Sequence, residues 1–379
     1  MNKSIQELKL GILGGGQLGR MLIQSALDFN LDINILDPDT NAPCKDITPV
    51  FEVGKLTDFN TVYEFGKKCD LVTIEIENVN TDALKQLQKE GIMVFPQPEV
   101  IELIKDKRTQ KKFYQEHSIP TADFILTNTK EEVMEQRSFL PAVNKLGKEG
   151  YDGRGVQIIR TEEDLKKAFE APSLLEKLID FEKEISVIVA RNTRGEIATF
   201  PAVELVFHPE ANLVEYLFSP ATIHSDVEQK AISIAKDVIS KLGMVGLLAV
   251  EMFVTKDGSV LVNEAAPRPH NSGHQTIEAN ITSQYEQHLR AILNLPLGNT
   301  DNLIPSAMVN LLGEEGFSGV AKYEGLDTIM QKKGVHVHLY GKKMTKPFRK
   351  MGHVTLRGND IKQLKSDVDF VKSTLKVKA

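Results

Sequence analysis

The chain has 379 residues, of which 41% are hydrophobic and 26% charged, and its formal net charge is −6. This length favours two or three domains, the composition is typical of a folded globular protein, and the small negative charge argues against general nucleic-acid binding. The two cysteines form no CxxC pair, and no apolar run reaches the roughly 18 residues of a membrane span. Residues 1–10 contain no hydrophobic stretch of signal-peptide length, so we expect a reducing, cytoplasmic setting.

The first predicted elements form a βα unit around a glycine turn. Residues 8–13 predict a buried strand and residues 20–29 a helix, with Gly14, Gly16 and Gly19 at GxGxxG spacing. The next strand, at 32–36, ends at Asp37, where a dinucleotide-binding fold holds a ribose. A nicotinamide-dependent oxidoreductase is therefore an open alternative, although any parallel α/β domain needs such a turn.

Further βα units complete an N-terminal domain. Residues 70–76 predict a strand that runs into the acidic sequence EIEN at Glu75, followed by a helix from about Thr81 and a strand at 92–95. We expect residues 1–100 to form a parallel α/β domain. Its acidic sequence should lie at the carboxyl edge of the sheet, where such sheets bind ligands.

A glycine-rich loop follows a predicted charged helix at 99–118. Strands at 141–145 and 155–159 flank the loop sequence KLGKEGYDGRG. Backbone N–H groups of a glycine-rich turn can approach phosphate oxygens, and Lys145, Lys148 and Arg154 would neutralise the phosphate charge. The loop lacks the GKS or GKT ending of a Walker P-loop, and a flexible hairpin tip is the alternative.

A predicted hairpin at 249–264 carries two opposed carboxylates, after strands at 174–179 and 184–190 and a helix at 226–242. Asp257-Gly258 suits a two-residue type I′ turn, and that turn makes Glu251 and Glu264 direct cross-strand partners. Like charges in this position repel, and Mg²⁺ is commonly held by one or two carboxylates together with nucleotide phosphates. The alternative is a solvent-facing hairpin with two incidental glutamates, against which the many apolar neighbours argue.

The segment after the hairpin predicts an anion or substrate site. Two prolines stiffen it and hold Arg268, His270, Asn271 and His274 in fixed directions beside the glutamates. The alternative is that the two histidines only hydrogen-bond the loop.

The C-terminal part predicts strands at 307–312, 336–339 and 353–356. Between the last two, residues 341–350 contain several lysines and one arginine. They predict a phosphate-binding rim, with an exposed basic hairpin as the alternative.

Together these features resemble the ATP-grasp superfamily. More narrowly, the chain resembles the N5-carboxyaminoimidazole ribonucleotide synthetases over nearly its full length. The matching sequences are GGGQLGRML at Gly14, EIENV at Glu75, GYDGRG at Gly150, EISVIVAR at Glu184, NEAAPRPHNSGH at Asn263, TSQYEQHLRAI at Thr282, and YGK and RKMGHVT near the end. The formate-dependent glycinamide ribonucleotide transformylases share the architecture but differ at GYDG and HNSGH.

The resemblance implies a fold and an activity. The fold is an ATP-grasp fold of α/β and α+β class, with an N-terminal Rossmann-like parallel domain at 1–100, an ATP-grasp domain at 101–298 with a lid at about 146–156, and a small C-terminal domain at 299–379. The activity is the ATP-dependent carboxylation of 5-aminoimidazole ribonucleotide by bicarbonate through carboxyphosphate, in purine biosynthesis. Mg²⁺ or Mn²⁺ and a homodimer are expected with it.

The resemblance also implies residue roles. ATP would be bound by Arg108, Lys145, Gly150, Tyr151, Asp152, Gly153, Arg154, Gly155, Glu176, Lys177, Leu178, Ile179, Glu184, Asn263 and Glu264, with Glu184 on the ribose. Glu251 and Glu264 would hold the metal ion. Asn263, Arg268, His270 and Asn271 would line the bicarbonate pocket, and Arg268, His270, Asn271 and Asp152 would be catalytic. The ribonucleotide would contact Gly16, Gln17, Leu18, Glu75, Asn78, Tyr151, Asp152, Lys342, Arg349, Lys350 and Arg357.

Three positions depart from the family pattern. Glu149 replaces the first of two glycines before the tyrosine, and Val156 stands where glutamine is common. Phe207 stands where the family has a nucleotide-contacting histidine, so that hydrogen bond is either missing or made by His208.

Overall fold

The N-terminal part is a parallel sheet with helices on both faces. The computed structural model describes residues 4–148, 155–209, 211 and 213–379. The elements of this part are β1 Lys9–Leu13, α1 Gln17–Asp28, β2 Asp32–Asp37, β3 Val50–Val53, α2 Phe59–Gly66, β4 Leu71–Ile74, α3 Thr81–Lys89 and β5 Met93–Val94. The strand order β3-β2-β1-β4-β5, parallel throughout, confirms the predicted parallel α/β arrangement.

The predicted helix at 99–118 is two helices. α4 covers Pro98–Lys105 and α5 covers Lys107–Glu116. Asp106 between them has an extended backbone, and its side chain accepts a hydrogen bond from the Arg108 N–H at 3.0 Å. The single-helix prediction is wrong because this aspartate caps a new helix and does not continue the old one. The break makes Lys107 the first residue of α5.

A four-stranded antiparallel sheet follows. Its elements are β6 Phe124–Thr127, α6 Lys130–Met134, β7 Ala142–Leu146, β8 Val156–Ile159 and β9 Ser173–Lys177, in the order β6-β9-β7-β8. The predicted strands on either side of the glycine-rich loop are thus paired as β7 and β8. The loop's central residues, 149–154, lie outside the described residues.

The remaining strands mostly belong to one large antiparallel sheet. The elements are β10 Phe181–Arg191, β11 Ile197–Thr199, β12 Val203–Phe207, β13 Val214–Ser219, α7 Ser225–Lys241, β14 Gly246–Thr255, β15 Val260–Ala266, α8 Thr276–Ala279, α9 Gln284–Ile292, β16 Ser306–Leu312, β17 Gly319–Val320, β18 Lys322–Glu324, α10 Leu326–Met330, β19 Val335–Leu339, β20 Met344–Thr345, β21 Lys350–Arg357, α11 Ile361–Thr374 and β22 Lys376–Lys378. In the described part of the chain the sheet order is β15-β14-β10-β12-β13-β16-β21-β19, with β11 beside β10. The pairing of β13 with β16 continues the sheet across residue 298. The predicted domain boundary at 298 stays a prediction.

The β14–β15 hairpin has the predicted register at its glutamates but a different turn. The Thr255 N–H donates to the Ser259 carbonyl oxygen at 3.0 Å, so the loop between them has three residues, and Gly258 alone in it has a positive φ, of 75°. This is a three-residue hairpin loop and the predicted type I′ turn is wrong. An extra residue near Asn263 forms a β-bulge between the Glu251 and Met252 pairings, which shifts the register by one and restores Glu251 opposite Glu264.

The fold buries the large sheet against α7 on one side, where Val187, Ile239 and Val250 are fully buried. Among the described residues, no helix is long and apolar enough to cross a membrane.

Candidate functional site

Three carboxylates meet on the β10–β14–β15 part of the sheet. Glu251 and Glu264 are cross-strand partners, and Glu184 lies on β10, which pairs with β14. Burial and the neighbouring charge of Glu264 raise the pKa of Glu184 to about 7. Burial, Glu264 and Glu184 likewise raise the pKa of Glu251 well above its ordinary value. The cluster is therefore a negative pocket that a cation would stabilise.

Two lysines bring positive charge to this pocket. Lys107 forms an ion pair with Glu264, and Lys145 Nζ donates a hydrogen bond to Asn263 Oδ1 at 2.8 Å. Burial opposes the ionisation of Glu264, but the two ammonium groups outweigh it and lower the pKa of this carboxyl to about 2. Glu264 is therefore ionised at neutral pH, whereas the pKa of its partner Glu251 is shifted in the opposite direction.

A buried chain of charges extends from Lys145 to α5. Lys145 and Lys111 each pair with one carboxylate oxygen of Glu176 on β9. The side chains of Lys111 and Glu176 are only 3% and 4% exposed. Burial, together with the charge of Lys145, lowers the pKa of Lys111 to about 8 against the pull of Glu176. Glu176, a predicted ATP contact, is thus held rigidly between two cations.

Lys107 and Lys111 are absent from the residues that the sequence predicts for the site, which include their neighbour Arg108. The available signal is their spacing in DKRTQK, because residues four apart share one face of a helix. The helix break at Asp106 aims that face at the glutamates. Arg108 Nη2 donates to Asn128 Oδ1 at 3.0 Å, and its role in ATP binding stays a prediction.

Arg268 and His270 lie on the loop after β15 and contact different carboxylates. Arg268 Nε lies 2.8 Å from Glu77 Oε1, so this loop is tied to the acidic sequence of the N-terminal sheet. His270 Nε2 lies 3.6 Å from Glu251 Oε1, and its Nδ1 lies 2.9 Å from Ser272 Oγ. The loop thus holds an imidazole beside the carboxylate cluster and a guanidinium beside Glu77, and both groups are of the kind that binds anions.

Asn271 points in a different direction. Its side-chain amide exchanges two hydrogen bonds of 2.8 Å with the amide of Asn310 on β16. Asn271 is 9% exposed and Asn310 5% exposed. The predicted catalytic role of Asn271 stays a prediction, and its amide is already occupied by the large sheet.

Glu75 occupies the glycine turn of the N-terminal domain. Its carboxylate accepts hydrogen bonds from the backbone N–H groups of Gly16, at 2.8 Å, and of Gly19. Any side chain at Gly16 would collide with this carboxylate. The carboxylate of Asp37 accepts a hydrogen bond from the Gly15 N–H at 2.6 Å. The chain's own carboxylates thus use the donors that would bind a dinucleotide pyrophosphate, which argues against the oxidoreductase alternative.

The basic segment only partly faces the site. Lys342 Nζ donates to the backbone oxygen of Lys350 at 2.7 Å, and the charge of Lys350 acts on both Glu251 and His274. Arg349 and Arg357 instead donate to backbone oxygens, of Met344 at 2.7 Å and of Glu278 at 3.2 Å. The charge of Lys350 therefore acts on the carboxylate cluster.

The other predicted site residues are dispersed or lie outside the described residues. Lys177 Nζ donates to the backbone oxygens of Phe139 and Leu140 at 3.1 and 3.3 Å, and the Leu178 N–H donates to Pro141 O at 3.1 Å. Predictions for these two, and for Gln17, Leu18, Asn78, Gly155 and Ile179, stay predictions. Gly150, Tyr151, Asp152, Gly153 and Arg154 lie outside the described residues, as does Glu149.

The departure at Phe207 coincides with an irregularity. The β12–β13 pairing shifts by one residue between Val206 and Phe207. The ring of His208 then lies edge-on to Phe348 with centroids 5.3 Å apart, and both rings line a cavity of about 430 Å³ that Asn310 also borders.

Family models match three successive parts of the chain. Residues 8–105 match the ribonucleotide synthetase preATP-grasp domain, residues 112–285 the ATP-grasp domain, and residues 306–367 the phosphoribosylaminoimidazole carboxylase C-terminal domain. With the parallel N-terminal sheet and the paired glutamates, these matches define an ATP-grasp ligase.

Relatives that match over nearly the whole chain identify the family within the ATP-grasp ligases. N5-carboxyaminoimidazole ribonucleotide synthase of Bacillus subtilis is 39% identical over 353 residues, which cover 91% of this chain and 90% of the relative. The crystal structure of N5-carboxyaminoimidazole ribonucleotide synthetase from Thermotoga maritima is 41% identical with a TM-score of 0.91, covering 98% and 99% of the two chains. That of N5-carboxyaminoimidazole synthase from Aspergillus clavatus, in complex with ADP and 5-aminoimidazole ribonucleotide, is 31% identical with a TM-score of 0.89 and covers 98% and 99%. The chain belongs to the N5-carboxyaminoimidazole ribonucleotide synthase family.

Proposed function

We infer that the protein uses ATP to carboxylate 5-aminoimidazole ribonucleotide with bicarbonate, giving N5-carboxyaminoimidazole ribonucleotide, ADP and phosphate in purine biosynthesis. Membership of the synthase family supports this reaction. The observation in the structure that carries it is the cluster of Glu251 and Glu264 with Lys107 and Lys145, because opposed carboxylates beside lysines suit a nucleotide triphosphate and its cation.

Two bond exchanges make up the reaction. A bicarbonate oxygen attacks the γ-phosphorus of ATP and the bond to the β-phosphate oxygen breaks, which gives carboxyphosphate and ADP. The exocyclic amine of the ribonucleotide then attacks the carboxyl carbon, the bond from that carbon to the phosphate oxygen breaks, and the amine loses a proton. Phosphate leaves and a carbamate remains.

The protein's residues position these reactants and stabilise their charge. Lys107 and Lys145 face the phosphates and offset the negative charge that spreads over the transferred phosphoryl group. Arg268 and His270 bind the bicarbonate, and Lys350 receives the anionic end of the ribonucleotide. A closed site excludes water, which would otherwise hydrolyse carboxyphosphate.

Mg²⁺ fits the donor set. Among the described residues, no group of three or more His, Cys, Asp or Glu side chains is arranged as a complete metal site. Mg²⁺ does not need one, since it is usually held by one or two carboxylates plus substrate phosphates and water. Glu251 and Glu264 would hold it, because burial and the charges of Glu264 and Glu184 raise the pKa of Glu251 and a cation beside these carboxylates would offset that repulsion. When bound, the ion neutralises phosphate oxygens and the two carboxylates together.

The remaining assignments follow from the resemblance. We propose that the Glu75 turn borders the ribonucleotide site, that the domains divide near residues 100 and 298, and that the protein is a cytoplasmic homodimer. The tie between Arg268 and Glu77 supports the first of these, because it brings the N-terminal sheet to the bicarbonate loop.

The test measures ADP formation by purified protein with each substrate omitted in turn. We expect full turnover only when ATP, bicarbonate and 5-aminoimidazole ribonucleotide are all present, with one carbamate per ADP. ADP formation that is indifferent to both bicarbonate and ribonucleotide would contradict the proposed function.

A further inference from the structure

One face of the large sheet is polar where residues 271–278 cover it. Asn310 of β16 is the register partner of His353 of β21, and His353 is the partner of His338 of β19. These three side chains, which we call the polar row, stand side by side across three neighbouring strands. A sheet face buried under another element is normally apolar, so a polar row at this level requires an explanation.

Each member of the polar row meets one residue of the covering segment. The pairs are Asn310 with Asn271, His353 with His274, and His338 with Glu278. The first pair exchanges two amide hydrogen bonds of 2.8 Å. The rings of the second pair lie against each other with centroids 4.7 Å apart and planes tilted by 33°, and the third pair has 2.5 Å between His338 Nε2 and Glu278 Oε1. The covering residues are three and four apart, as one face of a helical segment requires.

The middle pair is fixed in orientation. The amide of Gln284 is held by the backbone of His270, and its nitrogen lies 3.3 Å from His274 Nδ1. An amide nitrogen only donates, so Nδ1 of His274 accepts and the neutral ring carries its proton on Nε2. Burial lowers the pKa of both His274 and His353 well below the ordinary value, which keeps the two adjoining rings neutral. Tyr340 holds His353 through a 3.0 Å hydrogen bond to Nδ1.

The polar row is not the most stable way to fill this interface. Among the described residues, His353 Nε2 and Glu278 Oε2 are buried without a hydrogen-bond partner. Unpaired buried polar atoms destabilise a fold, and apolar side chains of similar size would pack here without that cost. A role in defining one relative position of the two layers accounts for the polar choice better than packing does.

The two layers carry opposite halves of the proposed site. The covering segment continues directly from Arg268 and His270, while β21 begins at Lys350 and carries His353 three residues later. Tyr340 precedes Lys342, whose ammonium group bonds the Lys350 backbone oxygen. A shift of one layer against the other would therefore move Lys350 relative to Arg268.

We propose that the polar row is a positioning device, which sets Lys350 against the Arg268–His270 loop so that carboxyphosphate forms next to the amine it must carboxylate. This inference rests on the proposed function. Its members act through the residues that they hold and need not touch the substrates. Loosening the row should then separate ATP cleavage from carboxylation, because a displacement of about 1 Å can slow a positioned reaction by about 100-fold.

His338→Phe is the test variant and His336→Phe its matched control. His338 lies on β19, the end strand of the described sheet, so substitution there disturbs the core least. Phenylalanine can keep the stack on His353, whose centroid lies 4.4 Å away, but loses the bond to Glu278. His336 has the same side chain on the same strand face two residues away and lies outside the polar row. His338→Gln keeps an N–H donor for Glu278 and serves as the conservative variant.

Three quantities are measured for each protein: the bicarbonate-dependent rate of ADP formation, the rate of carbamate formation, and the thermal midpoint. In His338→Phe we expect carbamate formation to fall about 10- to 100-fold while ADP formation changes less than about threefold, so that ADP per carbamate rises. His336→Phe and His338→Gln should keep the wild-type ratio.

Equal losses of both rates in His338→Phe, or an unchanged ratio in a folded protein, would overturn the positioning role. A lower thermal midpoint with an unchanged ratio would assign the row to stability alone. The wild type is measured first. A wild type that forms no carbamate from the ribonucleotide refutes the proposed function. If the wild type and His338→Phe both form one carbamate per ADP, only the role of the polar row is refuted.

Discussion

Lys107 and Arg108 are adjacent cations at the start of α5, and they have different partners. The resemblance assigns ATP binding to Arg108, whereas the structure places Lys107 on Glu264 and Arg108 on Asn128. Methionine at either position removes the charge and keeps an unbranched side chain of helix-forming type. The pair Lys107→Met and Arg108→Met therefore compares two cations in one helical turn.

We expect loss of the Lys107 charge to affect catalysis more than it affects stability. The side chains of Lys107 and Glu264 are 19% and 39% exposed, so their ion pair contributes at most about 1 kcal/mol to the free energy of unfolding. A charge-assisted hydrogen bond to a phosphate contributes about 1.5–3 kcal/mol, which is about 10- to 150-fold in rate. We expect Lys107→Met to lower kcat/KM for ATP by that factor with a nearly unchanged thermal midpoint.

The assay is steady-state ADP formation at saturating bicarbonate and ribonucleotide, with urea unfolding of each variant. Arg108→Met should lower kcat/KM for ATP by less than about threefold, as expected for a partly exposed cation. The reverse pattern, with Arg108→Met impaired and Lys107→Met active, would refute the role of Lys107 and support the predicted role of Arg108.

Three further predictions concern other parts of the site. Glu264→Gln should keep the fold and lower turnover at least about 100-fold, because it removes charge from the centre of a phosphoryl-transfer site; near-normal activity would exclude Glu264 as a metal ligand. Lys350→Ala should raise KM for the ribonucleotide about 10- to 150-fold and leave KM for ATP nearly unchanged; equal shifts in both would contradict its phosphate contact. Burial and the charge of Asp37 raise the pKa of Glu75 from 4.5 to about 7, although the hydrogen bond from the Gly19 N–H opposes this shift. The folded state therefore keeps the proton to a higher pH than the unfolded state does. As a result, Glu75 lowers the free energy of unfolding as the pH rises from 4.5 to 7. Glu75→Gln should remove about 1–2 kcal/mol of that decline, after allowance for partial exposure, and parallel curves of unfolding free energy against pH for the two proteins would disprove the shift.

Local patterns predict the parallel N-terminal sheet and the opposed glutamates. The parallel N-terminal strands follow from short apolar runs that end in glycine or acidic turns, and these survive small errors in element bounds. Glu251 and Glu264 face each other for a reason that the sequence does not contain. The three-residue loop moves the register by one and the bulge near Asn263 moves it back, so two deviations cancel at these residues.

Other features depend on contacts that no local pattern encodes. The β11–β13 region pairs strands across an irregular register, and it was not predicted. Helix α11 did have a usable signal in Leu364, Val368 and Val371, which are spaced four and three apart behind an Asp360 cap. The polar row has none, because Asn310, His353 and His338 become neighbours only through the β16–β21–β19 register.

The transfer of one labelled oxygen tests the central claim most directly. In the proposed reaction a bicarbonate oxygen attacks the γ-phosphorus and stays on phosphorus when the carbon–oxygen bond of carboxyphosphate breaks. With ¹⁸O-labelled bicarbonate and ribonucleotide, and with exchange between bicarbonate and water kept slow, we expect one ¹⁸O in each phosphate released, measured by mass spectrometry or ³¹P NMR. Phosphate without label, formed at the same rate as the carbamate, would show that water or another nucleophile attacks ATP and would contradict the account.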